Sequence, residues 1–245
     1  MITPEELDRY ERQIRIFGRK GQERLKAAKV FVAGAGGLGS AVCTYLAAAG
    51  IGTLRIVDEG EVERSNLNRQ FLYGDADIGK AKVEAAAARL AQVNPLVRVE
   101  ARRGSIEAGT VLGLLGDCAV IIDAMDNYAA RYVLNDAAWA RGIPFVHGAI
   151  EGFYGQVTTF VPGRTACLRC LVPVPPPRRA VPVIGTFCGI IGAIEATEAV
   201  KFFVGASRLL ENKLLMLDGH HGVVEEVAIS GDPACRVCGR RGPGR

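Results

Sequence analysis

The 245-residue chain is 49% hydrophobic, which is enough apolar sequence for one large α/β domain with a filled core. Its 30 basic and 26 acidic residues are well mixed and leave a net charge of +4, so the composition does not indicate a nucleic-acid partner. The first residues are charged and lack the apolar run of an export signal, which predicts a cytoplasmic protein. The most apolar stretch, residues 181–204, contains Glu195, Glu198 and Lys201, and we therefore expect a buried helix there and no membrane span.

The first clear element is a βαβ unit. From Lys29 the chain reads as an apolar strand, the glycine turn GAGGLG, a helix of small residues up to Gly50 and a second apolar strand that ends at Asp58. Near-continuous hydrophobic strands are typical of a parallel sheet that is covered on both faces. The pattern predicts a Rossmann-like fold.

The same alternation continues to about residue 150 and then changes. We predict further helices at residues 80–93, 128–141 and 189–203, and further strands at residues 97–102, 119–123, 145–148, 155–161 and 214–229. The last two strand regions read as antiparallel or mixed, and the proline-rich loop LVPVPPPRRAVP lies between them. We expect one α/β domain, residues 1–245, with a Rossmann-like mixed sheet and helices on both faces. Residues 1–150 are its expected nucleotide-binding half, residues 151–240 its partner-binding half and residues 241–245 a flexible tail.

The glycine turn carries the first sign of function. Its glycines are Gly34, Gly36, Gly37 and Gly39. A backbone without side chains can approach phosphates closely at the positive N-terminus of the following helix. Asp58 ends the next strand, where a carboxylate can accept hydrogen bonds from ribose hydroxyls. These features predict a site for a dinucleotide or ATP, and the alternative is a tight structural turn.

A dense polar set after the second strand favours ATP over a nicotinamide or flavin cofactor. It comprises Ser65, Asn66, Asn68, Arg69 and Gln70, followed by Lys80 and Lys82, and the alternative is a solvated loop with Lys82 on an exposed helix face. An oxidoreductase would need little beyond the glycine turn and would leave these residues without a role, whereas phosphate chemistry uses such cations. Asp123 and Asp126 follow the next buried strand and would lie at the same edge of the sheet. A carboxylate there can hold Mg²⁺ against the phosphates or cap the helix that follows.

Four of the seven cysteines form two C-x₂-C pairs, Cys167 with Cys170 and Cys235 with Cys238. Two such pairs predict a tetrahedral structural zinc site that holds the C-terminal half together. The alternative is two unrelated pairs of reduced thiols. The other cysteines, Cys43, Cys118 and Cys188, lie in apolar surroundings and are interpreted as core residues. We interpret His147 as a core residue too, and assign no catalytic role to His220 or His221.

In combination, these motifs resemble those of the molybdopterin-synthase and thiamine-biosynthesis adenylyltransferases, relatives of the ubiquitin-activating enzymes. The resemblance extends from the segment Arg9-Tyr10-Glu11-Arg12-Gln13 to the last cysteine pair. It implies that the protein uses ATP, Mg²⁺ and Zn²⁺. It also implies roles for residues at the matching positions: nucleotide contacts by Gly37 and Asp58, and triphosphate contacts by Asn66, Arg69 and Lys82.

The resemblance further implies that Asp126 positions Mg²⁺ at the α-phosphate, with Asn127 beside it. Arg12 would reach into the ATP site of the neighbouring subunit, which implies a homodimer with composite sites. The catalytic set implied in this way is Arg69, Lys82, Asp126 and Arg12. The chemistry is attack of a carboxylate oxygen on the α-phosphorus, with release of pyrophosphate.

The implied substrate is a ubiquitin-like sulfur-carrier protein that ends in Gly-Gly. The chain departs from many relatives in one respect, because the loop after the first zinc pair contains no cysteine for a covalent link to the carrier. Cys188 is the nearest thiol, and its apolar neighbours are expected to raise its pKa and bury it. Three other functions stay open: adenylation of a peptide or small carboxylate, a non-catalytic ATP-binding scaffold, and a nicotinamide- or flavin-dependent oxidoreductase.

Overall fold

The computed structural model describes residues 1–177, 180–205 and 208–239. The expected tail, residues 241–245, lies outside the described residues, as do Arg240 and two residues of the proline-rich loop. The described helices are α1 (Pro4–Arg9), α2 (Glu11–Ala27), α3 (Gly37–Ala48), α4 (Lys82–Val93), α5 (Val111–Leu115), α6 (Tyr128–Arg141), α7 (Leu168–Leu171) and α8 (Gly185–Val204). The described strands are β1 (Lys29–Ala33), β2 (Thr53–Val57), β3 (Arg98–Arg102), β4 (Val120–Asp123), β5 (Phe145–Glu151), β6 (Tyr154–Phe160), β7 (Lys213–Asp218) and β8 (Val223–Ala228).

These strands form one sheet of eight in the order β3-β2-β1-β4-β5-β6-β7-β8. The first five strands in this order are parallel, and β6, β7 and β8 are antiparallel additions. Helices α2, α3, α4 and α8 pack on one face, and α5, α6 and α7 pack on the other. The prediction of a Rossmann-like mixed sheet with helices on both faces is therefore confirmed.

One helix boundary and several short or N-terminal helices differ from the prediction. Helix α8 begins at Gly185, four residues before the predicted start, because its first turn packs against the segment after Asn68 and this contact offsets the poor helix propensity of glycine. Helices α1, α2, α5 and α7 were not predicted, although Thr3 and Glu6 form a capping box at the start of α1. The strand region predicted at residues 214–229 forms two antiparallel strands, β7 and β8, joined by a turn that contains His220 and His221.

Helix α8 contains two buried carboxylates, Glu195 and Glu198, which differ in their hydrogen bonds. Glu198 accepts hydrogen bonds from Thr159 Oγ1 (2.6 Å) and the backbone N–H of Leu210 (2.7 Å). Both carboxyl oxygens of Glu195 are buried and have no hydrogen-bond partner among the described residues. In the described part of the chain, no helix has both the length and the hydropathy needed to cross a membrane.

Candidate active site

The carboxyl ends of β1 and β4 flank a crevice. These two strands are parallel neighbours, but the chain continues from β1 outward to β2 and β3 and then returns to β4 on the other side. Such a topological switch point is where open α/β sheets bind their ligands. The glycine turn follows β1, and Gly34 has a φ of 98°, a conformation that favours glycine. A Cβ at this position would also lie 2.5 Å from the carbonyl oxygen of Ala124, in the loop after β4.

Asp58 lies at the end of β2, as predicted, and organises the backbone around it. Its Oδ2 accepts a hydrogen bond from the N–H of Ala35 (2.8 Å), and its Oδ1 accepts one from the N–H of Gly60 (2.7 Å). Each carboxylate oxygen has a second lone pair, which can accept a ligand hydroxyl. The carbonyl oxygen of Gly60 in turn accepts a hydrogen bond from the backbone N–H of Lys82 (3.0 Å). Gly60 therefore links the Asp58 carboxylate to the backbone of Lys82.

Lys82 is the first residue of α4, where the helix dipole disfavours a positive charge. No described carboxylate pairs with its ammonium group. Arg69 lies beside the glycine turn, since a Cβ at Gly37 would lie 3.6 Å from Arg69 Cγ. Its Nη1 donates to the carbonyl oxygen of Ser65 (2.9 Å) and to Asn68 Oδ1 (3.0 Å). The crevice therefore has two cationic side chains beside a turn that can receive phosphates.

The remaining predicted polar residues differ in what they contact. The side chain of Asn66 is buried, and its Oδ1 accepts the backbone N–H of Glu63 (3.1 Å), so it stabilises its own turn. Gln70 is buried with its amide nitrogen near Gly36, and its Oε1 has no partner among the described residues. Ser65 is exposed, and its hydroxyl donates to Glu63 (3.1 Å). Of these residues, Gln70 lies directly against the glycine turn.

The two aspartates after β4 have different environments. Asp126 is exposed, and its Oδ1 accepts a hydrogen bond from Asn127 Nδ2 (3.2 Å). Asn127 also caps α6, since its Oδ1 accepts the N–H of Ala130 (2.9 Å); the cap is therefore not one of the aspartates. Asp123 is completely buried, so it is not available to a metal ion in the crevice.

Asp123 belongs to a buried polar group that the sequence analysis did not identify. Its Oδ2 lies 2.6 Å from His147 Nδ1 and 3.3 Å from Arg131 Nε. Its Oδ1 accepts the N–H of Met125 (3.1 Å), while Arg131 Nη2 donates to the carbonyl oxygen of Met125 (2.7 Å). Burial lowers the pKa of His147 and raises the pKa of Glu195 well above its usual range. Arg131, an arginine within a predicted helix, is the signal in the sequence that would have identified this group.

The two predicted cysteine pairs form one cluster in the folded chain. The sulfur atoms of Cys167, Cys170, Cys235 and Cys238 all lie within 4.8 Å of one another. Tetrahedral Zn–S bonds of about 2.3 Å place sulfur atoms about 3.8 Å apart, so this group could hold zinc. Cys43, Cys118 and Cys188 are buried, as predicted. Burial raises the pKa of Cys188 to about 11, which makes this thiol a poor nucleophile.

Arg12 lies far from the glycine turn of its own chain. The neighbouring Gln13 donates to the carbonyl oxygen of Ala49 (2.8 Å), just past the C-terminal end of α3, whereas the glycine turn lies at the N-terminal end of that helix. A helix of 12 residues is about 18 Å long. Arg12 and Ile16 are both exposed on the same helix, and Ile16 is 80% exposed.

Comparisons with known proteins place this fold and site in a family. The model of the ThiF family matches residues 10–237. The chain is 43% identical to the SAMP-activating enzyme E1 of Haloferax volcanii, with 97% of this chain and 90% of the relative covered. It is also 43% identical to the sulfur carrier protein adenylyltransferase of Thermus thermophilus, with 97% and 92% covered.

Other similar proteins are longer or more distant. The adenylyltransferase and sulfurtransferase MOCS3 of Drosophila yakuba is 38% identical, and the match covers 97% of this chain and 54% of that protein. The structure of E. coli MccB with ATP shares the fold, with a TM-score of 0.86 at 24% identity over 95% of this chain and 74% of that one. The resemblance found in the sequence is confirmed: the chain belongs to the ThiF family.

Proposed function

We propose that this protein uses ATP to adenylate the C-terminal glycine carboxylate of a ubiquitin-like sulfur-carrier protein and releases pyrophosphate. Two relatives that match 97% of the chain are named as a SAMP-activating enzyme and a sulfur carrier protein adenylyltransferase. The observation that carries the proposal is the glycine turn at the carboxyl edge, which Asp58 contacts at Ala35 and Arg69 approaches at Gly37, with Lys82 linked to Asp58 through Gly60.

The chemistry follows from the charges. A carboxylate oxygen of the carrier forms a bond to the α-phosphorus, and the bond to the bridging oxygen of the β-phosphate breaks, so its electron pair leaves with pyrophosphate. The nucleophile is already ionised, and proton transfer contributes little. Positioning and charge neutralisation therefore account for most of the acceleration, and Arg69 and Lys82 supply the positive charge.

Asp126 is the residue that fits a magnesium ion. Its carboxylate is exposed at the crevice and has one hydrogen-bond partner among the described residues, Asn127, so it retains oxygen atoms for a hard cation. Mg²⁺ held there would neutralise phosphate charge when bound. Asn127 caps α6 and thereby orients Asp126.

Arg12 completes the cationic set from a second copy of the chain. Its position about one helix length from its own glycine turn, beside the exposed Ile16, supports a homodimer in which each Arg12 serves the other subunit's ATP site. An arginine contributed in trans would stabilise the charge that develops on the phosphates.

Residues 151–240 are the proposed carrier-binding half, in contrast to the nucleotide-binding half of residues 1–150. Tyr154, Asp218 and Val223 are paired across β6, β7 and β8 and point to the same face of the sheet. Met216 and Val227 lie on that face too, and Tyr154, Met216, Val223 and Val227 are exposed large hydrophobic side chains. An apolar face next to the crevice suits a small folded carrier whose tail reaches the phosphates.

The four-cysteine group is the proposed zinc site. Its ligands come from α7 and from the chain after β8, so zinc would tie the C-terminal segment to the sheet. Metal analysis of the purified protein is expected to find about one zinc ion per chain. Reduced cysteines are typical of the cytoplasm, which is the proposed compartment, and the mixed surface charge gives no reason to propose nucleic acid as a partner.

ATP–pyrophosphate exchange with Mg²⁺ tests the proposed function. The protein is expected to catalyse exchange when a carrier ending in Gly-Gly is present, and Arg69→Ala is expected to abolish it. Arg64→Ala is the matched control, since Arg64 is exposed nearby and paired with Asp75 (3.0 Å). Exchange with a peptide or small carboxylate but with no carrier would reassign the acceptor. ATP binding without exchange for any acceptor would contradict an enzymatic role.

A further inference from the structure

The first turn of α8 touches both the nucleotide site and the turn between β7 and β8. On one side, Cys188 packs against Gly37 of the glycine turn. On the other, Phe187 packs against Gly219, in the turn between β7 and β8. Two consecutive residues therefore connect two regions that lie at the same edge of the sheet but are separated by several strands.

On the nucleotide side the contacts are close. A Cβ at Gly37 would overlap the sulfur of Cys188, so the thiol occupies the space where a side chain would otherwise be. A Cβ at Gly185 would lie 2.7 Å from the carbonyl oxygen of Asn68 and 3.2 Å from Arg69 Cα. The start of α8 therefore sets the position of both the glycine turn and the backbone of Arg69.

At the turn between β7 and β8, Phe187 is buried beneath exposed aromatic residues. Its ring meets that of Phe153 edge-on, with 5.9 Å between centroids, and the Phe153 ring contacts the tilted ring of His220, with 4.8 Å between centroids. Phe153 and His220 are exposed, so a molecule on this surface would contact side chains that rest on Phe187. A Cβ at Gly219 would overlap the Phe187 ring, which shows how closely this turn approaches the helix.

We propose that Phe187 and Cys188 are positioning residues that hold the glycine turn and Arg69 in the geometry needed for adenylation. A closely packed interior transmits displacement, and a helix moves as a rigid unit. Displacement of Phe187 therefore shifts Cys188 and the start of α8 against Gly37 and Arg69. The inference rests on the proposed function, because the triphosphate site is the one assigned there.

The variant Gly219→Ala tests this from the turn between β7 and β8, far along the chain from the nucleotide motifs. The φ of Gly219 is not positive, so alanine strains no backbone torsion, but its Cβ overlaps Phe187. We expect kcat for ATP–pyrophosphate exchange to fall about tenfold or more, since small misplacements at a reacting centre are costly. The KM for the carrier is expected to change less than about twofold, because no proposed carrier contact on the sheet face is removed.

A second substitution makes the test specific. Phe187→Leu shortens the side chain that the Cβ introduced by Gly219→Ala would overlap. The double variant Gly219→Ala/Phe187→Leu is therefore expected to recover most of the lost kcat. Gly189→Ala is the matched control, because a Cβ at this position of α8 meets nothing within 4 Å, and its kcat is expected to equal that of the wild type.

Binding of a non-hydrolysable ATP analogue, measured by calorimetry without carrier, separates this inference from the proposed function. We expect Gly219→Ala to weaken analogue binding and the double variant to restore it. Wild-type affinity and kcat in Gly219→Ala would overturn the inference, as would a double variant that stays as impaired as the single one. Absence of exchange in the wild type would contradict the proposed function alone, because analogue binding still reports on the position of the glycine turn.

Discussion

Asp58 Oδ2 accepts a 2.8 Å hydrogen bond from the backbone N–H of Ala35, and this bond joins the end of β2 to the glycine turn after β1. The other oxygen of Asp58 accepts the N–H of Gly60 (2.7 Å). The residue proposed to bind the ribose thus also shapes the turn that is proposed to receive the phosphates. A substitution at Asp58 should affect both functions together.

For Asp58→Asn we expect weaker ATP binding and lower stability. An amide has one oxygen and one NH₂ group, so one of the two backbone N–H donors loses its acceptor. The expected loss is about 1–3 kcal/mol in the free energy of unfolding, with a rise in the KM for ATP. Denaturant titration and exchange kinetics measure the two effects. Asp75→Asn, at an exposed position, is the control, and an unchanged KM for ATP in Asp58→Asn would contradict the proposed role.

Lys82→Ala is expected to reduce activity, while the variant is expected to be at least as stable as the wild type. Lys82 is the first residue of α4, where removal of a positive charge from the helix N-terminus stabilises the helix by about 0.3–1 kcal/mol. The same change removes a cation from the phosphate site, and kcat for exchange is expected to fall about a hundredfold or more. Lys80→Ala is the control, since Lys80 pairs with Asp77 at 2.9 Å. Loss of stability together with activity would indicate a structural role for Lys82.

Mixing two inactive variants tests the composite site. Arg12→Ala and Lys82→Ala each lack one cation, but a mixed dimer has one site with both residues intact. After random exchange of subunits, about half of the dimers are mixed, and each mixed dimer has one intact site out of two. Activity is therefore expected to recover to about a quarter of the wild-type value. Exchange assays after subunit mixing measure this recovery. If Arg12 acted within its own chain, mixing would restore nothing.

Glu195→Gln is expected to stabilise the protein at neutral and alkaline pH. Burial raises the pKa of Glu195 well above its ordinary value of 4.5. The folded state therefore binds a proton that the unfolded state releases, and the stability linked to this proton is present below pH 4.5 and is lost as pH rises toward the folded-state pKa. Glutamine is neutral at every pH and avoids this loss.

Denaturant titrations at pH 5 and pH 8 measure the effect as the difference between variant and wild type. The stabilisation of Glu195→Gln relative to the wild type is expected to be larger at pH 8 than at pH 5. Glu225→Gln, at an exposed position on β8, should show no such change between the two pH values. An equal difference at both pH values would mean that Glu195 is ionised in the folded protein.

The sequence alone predicted the features that depend on local order along the chain. The glycine turn, Asp58 and the parallel strands follow from hydrophobic patterns and turn residues, which act over a few positions. The two C-x₂-C pairs predicted a metal site because the spacing of ligands within each pair is local too. The positions of these features agree with the structure, whereas α8 begins earlier than predicted.

Tertiary structure decided what depends on distant residues meeting. Asp123 and Asp126 are alike in the sequence, but only packing shows that Asp123 is buried against His147 while Asp126 is exposed. The contact of Cys188 with Gly37 joins two residues far apart in the chain, and no local pattern encodes it. Local propensities act through neighbouring torsion angles, whereas burial and contact depend on how whole helices and sheets pack, and that packing exists only in the folded chain.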